Sequence, residues 1–167
     1  MSVFENTVMV NRRPSYGQLF LKYLTFIVTV FLAVGTIMVS PMLLFIPTVI
    51  MAFLTHLAYC ACFVEYEYTY IEGELDIAKI KAKRKRKEIA QIDLDNLILI
   101  APTGSGELNA YHQGNVAYSY DATSKKSDGK VYEMVYRRNN TQAILYFEPD
   151  DNILNLIRTK HMSKVIL

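Results

Sequence analysis

Between Lys22 and Glu65 the chain runs for 42 residues without an Asp, Glu, Lys or Arg, and no other feature limits its fold so strongly. A helix rises about 1.5 Å per residue, so one helix of that length would reach about 63 Å. A bilayer's hydrocarbon core is about 30 Å thick and takes about 20 residues to cross. The run is too long for one span and suits two. Proline cannot continue a helical ladder and drives the residue before it away from helix, so Ser40-Pro41 divides the run into expected spans 19–39 and 42–64. Pro47 falls in the first turns of the second span. A cleaved signal peptide does not fit, because its apolar region would be about 7–15 residues followed by a small-residue cleavage site.

The flanks orient this hairpin. Arg12, Arg13 and Lys22 precede the first span, and a dense basic run follows the second. Lys and Arg favour the cytoplasmic side of a membrane. A hairpin with basic residues at both ends therefore predicts a multi-pass cell-membrane protein with both termini cytoplasmic. Tyr16, Tyr23 and Tyr59 fall where aromatic belts form. His56 is the one ionisable His within the spans and has no carboxylate partner there, which favours a neutral His bonded locally. Cys60 and Cys62 read as small apolar residues of a span, with lipidation or redox chemistry as the alternative. Ala33, Gly35, Thr36 and Ser40 allow close helix packing.

Composition changes at Glu65. The mean hydropathy of the whole chain, +0.14, conceals two halves. Residues 65–167 carry 15 basic and 15 acidic side chains, the balance of a globular domain. Tyr66, Tyr68 and Tyr70 alternate with Glu65, Glu67 and Thr69, a strand period. Glu72-Gly73-Glu74 marks a turn, with 75–80 resuming as a strand. Further strands are expected over 87–92, 97–101, 116–120, 131–137 and 143–147, with a tight hairpin at Asn139-Asn140, since asparagine tolerates left-handed backbone. Residues 102–106 (Pro-Thr-Gly-Ser-Gly) and 121–130 read as loops; the first lacks the context of a phosphate-binding loop. Pro149, Asp150 and Asp151 suit a helix start, and Ile153, Leu154, Leu156 and Ile157 form its apolar stripe. The organisation is a cytoplasmic arm (1–18), a helical hairpin (19–64) and a cytoplasmic α+β domain (65–167) of about seven antiparallel strands and a C-terminal helix over about 150–162.

In this order stand a two-span hairpin, a Tyr-rich strand, the Glu72-Gly73 turn, a strand ending in Lys83-Arg84-Lys85, and the segment Ile92-Asp93-Leu94-Asp95-Asn96-Leu97. The pattern resembles the bacterial pleckstrin-homology-like (PH-like) domains found after paired membrane helices, and is similar to small two-span membrane proteins of clostridia. The resemblance implies a bent antiparallel barrel with a closing helix. It brings no activity and no catalytic residue.

Lys81, Lys83, Arg84, Lys85, Arg86 and Lys87 form the basic run. A strand leaving the membrane near Glu65 travels about 23 Å in seven residues, turns at Glu72–Glu74, and returns over the same distance. The run is thus expected at headgroup level, where each Lys or Arg contributes about 1 kcal/mol toward an anionic leaflet. The competing reading is a solvated strand edge whose lysines block edge pairing. An enzyme is not expected. His56, His112 and His161 are far apart in sequence, Asp93 with Asp95 reads as a partner for the basic cluster, and Asp150 with Asp151 reads as a cap. No metal or cofactor is expected. Nucleic acid is not, because the aromatic residues sit at strand spacing and the half is near neutral. The leading function is a non-enzymatic PH-like domain at the inner membrane face that binds anionic lipid headgroups or a protein. The alternative is a structural subunit of a membrane complex, held through its helices to a membrane-protein partner.

Overall fold

The computed structural model describes residues 5–114, 116–127 and 129–166. They form β1 (Glu5–Arg12), α1 (Tyr16–Met38), α2 (Pro41–Cys62), β2 (Val64–Ile71), β3 (Glu74–Lys81), β4 (Lys85–Asp93), β5 (Leu97–Pro102), α3 (Asn109–His112), β6 (Val116–Asp121), β7 (Tyr132–Arg138), β8 (Thr141–Phe147) and α4 (Asp151–Lys160). The described residues divide into two compact units, one of 13–64 with 81–84, the other of the remaining residues.

The first unit is the helical hairpin. α1 and α2 are each long and apolar enough to cross a membrane. Ser40 is the extended N-cap of α2 and Pro41 its first residue, a position where the missing N–H costs nothing. Two hydroxyl pairs register the helices: Thr29 with Thr55 at 2.8 Å and Thr36 with Thr48 at 2.9 Å. Seven residues make two helical turns, so each helix presents its two threonines on one face. Gly35 lies where a Cβ would come within 3.2 Å of Leu44, which explains the small residue there.

The second unit carries two four-stranded sheets, ordered β1-β2-β3-β4 and β5-β7-β8-β6. The residues after α2 supply seven strands. The eighth, β1, lies within the segment read from sequence as an arm. Thr7 meets Thr69 at 3.4 Å and Arg12 meets Tyr66 at 2.7 Å, the sense of antiparallel neighbours. The β2–β3 and β7–β8 turns carry positive φ at both central residues, Glu72 (48°) with Gly73 (107°) and Asn139 (49°) with Asn140 (62°), as type I′ hairpins require. One pair departs from the antiparallel expectation: β6 runs parallel to β8, with Ser119 beside Ile144. The long connection from β5 to β6 permits this, since only a tight turn forces antiparallel neighbours.

The buried Tyr66, Tyr68 and Tyr70 realise the alternation of β2. Tyr68 packs edge-on against Phe147 at 6.0 Å, and its hydroxyl donates to the Ala122 carbonyl at 2.6 Å. The segment after β6 is thus partly interior, with Thr123 and Ser124 buried; Asp128 of this expected loop lies outside the described residues. Asp150 caps α4 by accepting from the Ile153 N–H at 2.9 Å, and Asp93 caps a short 3-10 turn by accepting from Asp95 N–H at 2.9 Å. Asp93 therefore acts as a cap, and Asp95 lies 3.9 Å from Lys160 Nζ.

β7 is buried on both faces. On the second face Leu99, Ala101, Leu108, Val135 and Ile144 form a cluster, and strand parity places Glu133 there with Tyr146. Glu133 is fully buried, 2.7 Å from His112 Nε2, yet neither carboxylate oxygen has a well-directed hydrogen bond. Burial pushes its carboxyl up from the usual range, and His112 opposes that rise. A raised folded pKa means that the group's contribution is fully present below the unfolded value and is lost as pH rises through the folded one. Glu133→Gln should therefore gain stability relative to the wild type as pH rises from acid to neutral. His112→Ala should lose about 1–3 kcal/mol at neutral pH by leaving the acid unpaired, and the double variant should recover most of it. Unfolding of the full chain in detergent measures this; an equal loss on His112→Ala with Glu or Gln at 133 contradicts the pairing.

Candidate functional site

The basic run does not lie on one element. Lys81 ends β3, residues 82–84 make the turn, and Lys85, Arg86 and Lys87 open β4. Sequence pattern places the next strand at 87; it begins two residues earlier because the turn closes at Arg84, whose N–H reaches the Lys81 carbonyl at 3.1 Å. Ala82 (φ 51°) and Lys83 (φ 55°) occupy its centre. The other two hairpins each place at least one glycine or asparagine in this left-handed region, Gly73 beside Glu72 and the pair Asn139-Asn140. Here an alanine and a lysine adopt it, at roughly 1–2 kcal/mol per residue. Such strain persists only where the surroundings over-determine it. The Ala82 N–H donates to the Phe63 carbonyl at 2.8 Å, so the turn satisfies one of the carbonyls that the end of α2 leaves open.

Residues 81–84 group with the helices, while 85–87 group with the sheets. The helical unit thus contains Arg13, Lys22, Lys81, Lys83 and Arg84 and no acidic residue. α2 has no basic residue in its own last turn; Lys83 and Arg84 supply the positive charge that a helix C-terminus favours. A cavity of about 390 Å³ is lined by His56, Tyr59, Cys60, Phe63, Ala82, Lys83 and Arg84. Inside it His56 Nε2 and Cys60 Sγ are 3.6 Å apart. Cys62 Sγ is turned to the Ala58 carbonyl, 3.4 Å away. Lys22 Nζ lies 4.9 Å from the centre of the Tyr59 ring, 5.6 Å from Tyr23 and 5.9 Å from Phe63. Three aromatic faces around one ammonium are a cation–π arrangement.

The remaining residues of the predicted set are placed differently. Arg86 is committed to Glu67 through Nε at 3.3 Å and Nη2 at 3.0 Å. Lys85 and Lys87 are exposed on β4. Arg12 belongs to the sheets: it donates to the Tyr66 hydroxyl at 2.7 Å and lies 3.7 Å from Asp121. Burial disfavours the Asp121 anion, but hydrogen bonds from Lys125 and Thr123 outweigh it and hold this carboxyl below the usual range. Arg12, expected as a membrane flank, is thus the charge partner of a folded carboxylate. Among the described residues no three His, Cys, Asp or Glu side chains gather as a metal site. A second cavity, of about 240 Å³, is lined by His112, Glu133, Tyr146 and the 103–105 loop.

Sequence reasoning did not bring His56 and Cys60 together with Lys83 and Arg84, because only the folded turn places those cations at their cavity. It also missed the His112–Glu133 pair. A glutamate inside Tyr132-Glu133-Met134-Val135-Tyr136 was the available signal, an acid in a strand otherwise fit for burial on both faces.

The bacterial PH-like domain family (DUF6106) has a model that matches residues 5–167. The chain belongs to this family. The match takes in β1 and both long helices as well as the strands after them. No curated protein and no solved structure matches the chain.

For this PH-like protein the strained turn yields a direct test. Ala82→Gly should raise the unfolding midpoint in detergent, by relief of up to about 1–2 kcal/mol of left-handed strain. Ala82→Val should lower it, because a β-branched residue tolerates positive φ worst. Equal midpoints for the three residues would show that the turn is not held in this conformation.

Proposed function

We propose that this chain is a multi-pass protein of the bacterial cell membrane that presents its PH-like domain at the inner face. There Lys81, Lys83 and Arg84 contact anionic phospholipid headgroups. One observation carries the reading: the unit made of the two apolar helices takes residues 81–84 with it and contains five basic residues and no acid. Three cations at about 1 kcal/mol each contribute a few kcal/mol toward an anionic leaflet. Lys85 and Lys87 belong to the sheet unit and are not part of this contact, and Arg86 is partly neutralised by Glu67. The reading is of a binding module, with no chemical step and no cofactor.

Acetylation of lysines, read by mass spectrometry on the full chain in nanodiscs, tests the lipid contact. Replacing phosphatidylcholine by phosphatidylglycerol should slow labelling of Lys81 and Lys83 by about five-fold, the equivalent of about 1 kcal/mol. High salt should restore it. Unchanged labelling in the two lipids would sink the contact.

Orientation has its own test. With Cys60 and Cys62 replaced by Ser, a cysteine at position 40 should react with an impermeant maleimide on intact cells. One at position 65 should react only after permeabilisation. Labelling at 65 from outside would reverse the topology.

A further inference from the structure

We infer that the cavity at the end of α2 holds the headgroup of a single anionic phospholipid. The inference rests on the lipid reading above and goes beyond it, assigning one built site where that reading needs only a charged surface. The lining is chemically divided. Lys83 and Arg84 supply cations, Tyr59 and Phe63 supply aromatic rings, and His56 adds a ring nitrogen, with no carboxylate among them. A phosphate diester meets complementary charge and no like charge. Arg84 offers a planar fork of donors for phosphate oxygens, and Lys83 a compact point charge.

Size and surroundings select a lipid over a free anion. A volume of about 390 Å³ lies at the small end of the range for built ligand sites, with room for a phosphate ester and its alcohol but not for acyl chains. On α2, Phe53 precedes His56 by three residues and Cys60 by seven, so helical spacing puts it on the cavity's face of the helix. Phe53 is 61% exposed, an apolar track for a chain attached to the bound headgroup. Inorganic phosphate would use the cations and leave this wall uncovered.

The turn that carries the cations is anchored by the protein's own backbone. The bond from the Ala82 N–H to the Phe63 carbonyl holds Lys83 and Arg84 at the cavity in a turn that neither Ala82 nor Lys83 favours. Pre-organisation of this kind lowers the ordering cost of binding. The cations of β4 are separable from it, since Lys85 and Lys87 do not line the cavity.

Native mass spectrometry of the full chain in mild detergent, offered phosphatidylglycerol and phosphatidylcholine together, reads the result. One phosphatidylglycerol should be retained after phosphatidylcholine is stripped. Lys83→Gln with Arg84→Gln should weaken retention by about 10–30-fold, and Lys85→Gln with Lys87→Gln should leave it unchanged. Circular dichroism checks that each variant is folded, and Lys83→Gln alone, at about five-fold, serves if the double variant is not. Equal retention of the two lipids, or wild-type retention by the 83/84 variant, overturns the site. Displacement of the lipid by inorganic phosphate would reassign the cavity to a soluble anion. If no lipid is retained while Lys81 labelling in nanodiscs still responds to lipid charge, the cavity alone fails. If that labelling does not respond, the surface reading fails as well.

Discussion

A backbone carried by apolar, uncharged residues has to satisfy its own hydrogen bonds, and helices are how a single segment does so. The 42-residue run between Lys22 and Glu65 is long enough for two of them, and Pro41 sets the break between α1 and α2. Much of the remaining architecture follows from that pairing. A helical hairpin returns the chain to the end from which it left. β1 and β2, which stand on either side of the hairpin in sequence, are neighbours in one sheet. The threonine pairs 29–55 and 36–48 set the register of α1 against α2. The strand before the helices and the strand after them belong to one sheet, so the helical hairpin is an insertion between two strands. A domain cut at Glu65 would lack an edge strand and would leave Tyr66 without Arg12.

The three tight hairpins of the chain show how local chemistry and tertiary context divide the work. Gly73 and Asn139-Asn140 tolerate left-handed backbone, and both turns were readable. Lys81–Arg84 has the same backbone signs without such residues. No local preference selects that turn. An outside partner does: the Phe63 carbonyl at the end of α2 accepts the Ala82 N–H. A helix end that needs a donor and a turn that needs an anchor satisfy each other, and two cations come to rest beside two aromatic rings and a histidine.

What was legible followed from periodicity and from charge. The alternation of Tyr66, Tyr68 and Tyr70 revealed β2, and the spacing of Ile153, Leu154 and Ile157 revealed the buried stripe of α4, because burial on one face writes a period into the sequence. The family match over residues 5–167 agrees with the PH-like resemblance. β1 was not legible: its residues Glu5–Arg12 lack clean alternation and precede the helices, so nothing local shows that a distant strand receives them. Nor was the parallel pairing of β6 with β8, which depends on where a long connection leads. Arg12 looked like a flanking charge by position, but its guanidinium belongs to Tyr66 and Asp121.

The amino-acid sequence by itself determined the two apolar helices, the change to strand periodicity at Glu65 and the placement of six basic residues just past the second strand. Each of these is a local consequence of side-chain hydrophobicity, backbone preference or charge. Tertiary structure decided which of those basic residues group together. It separated Lys81, Lys83 and Arg84 from Lys85, Arg86 and Lys87 by placing the first three at the turn and the last three on β4. It bound Arg86 to Glu67, and it set Lys83 and Arg84 around His56 and Cys60. Such groupings arise from hydrogen bonds between residues far apart in the chain, as between Phe63 and Ala82, and no local pattern encodes a partner at that distance.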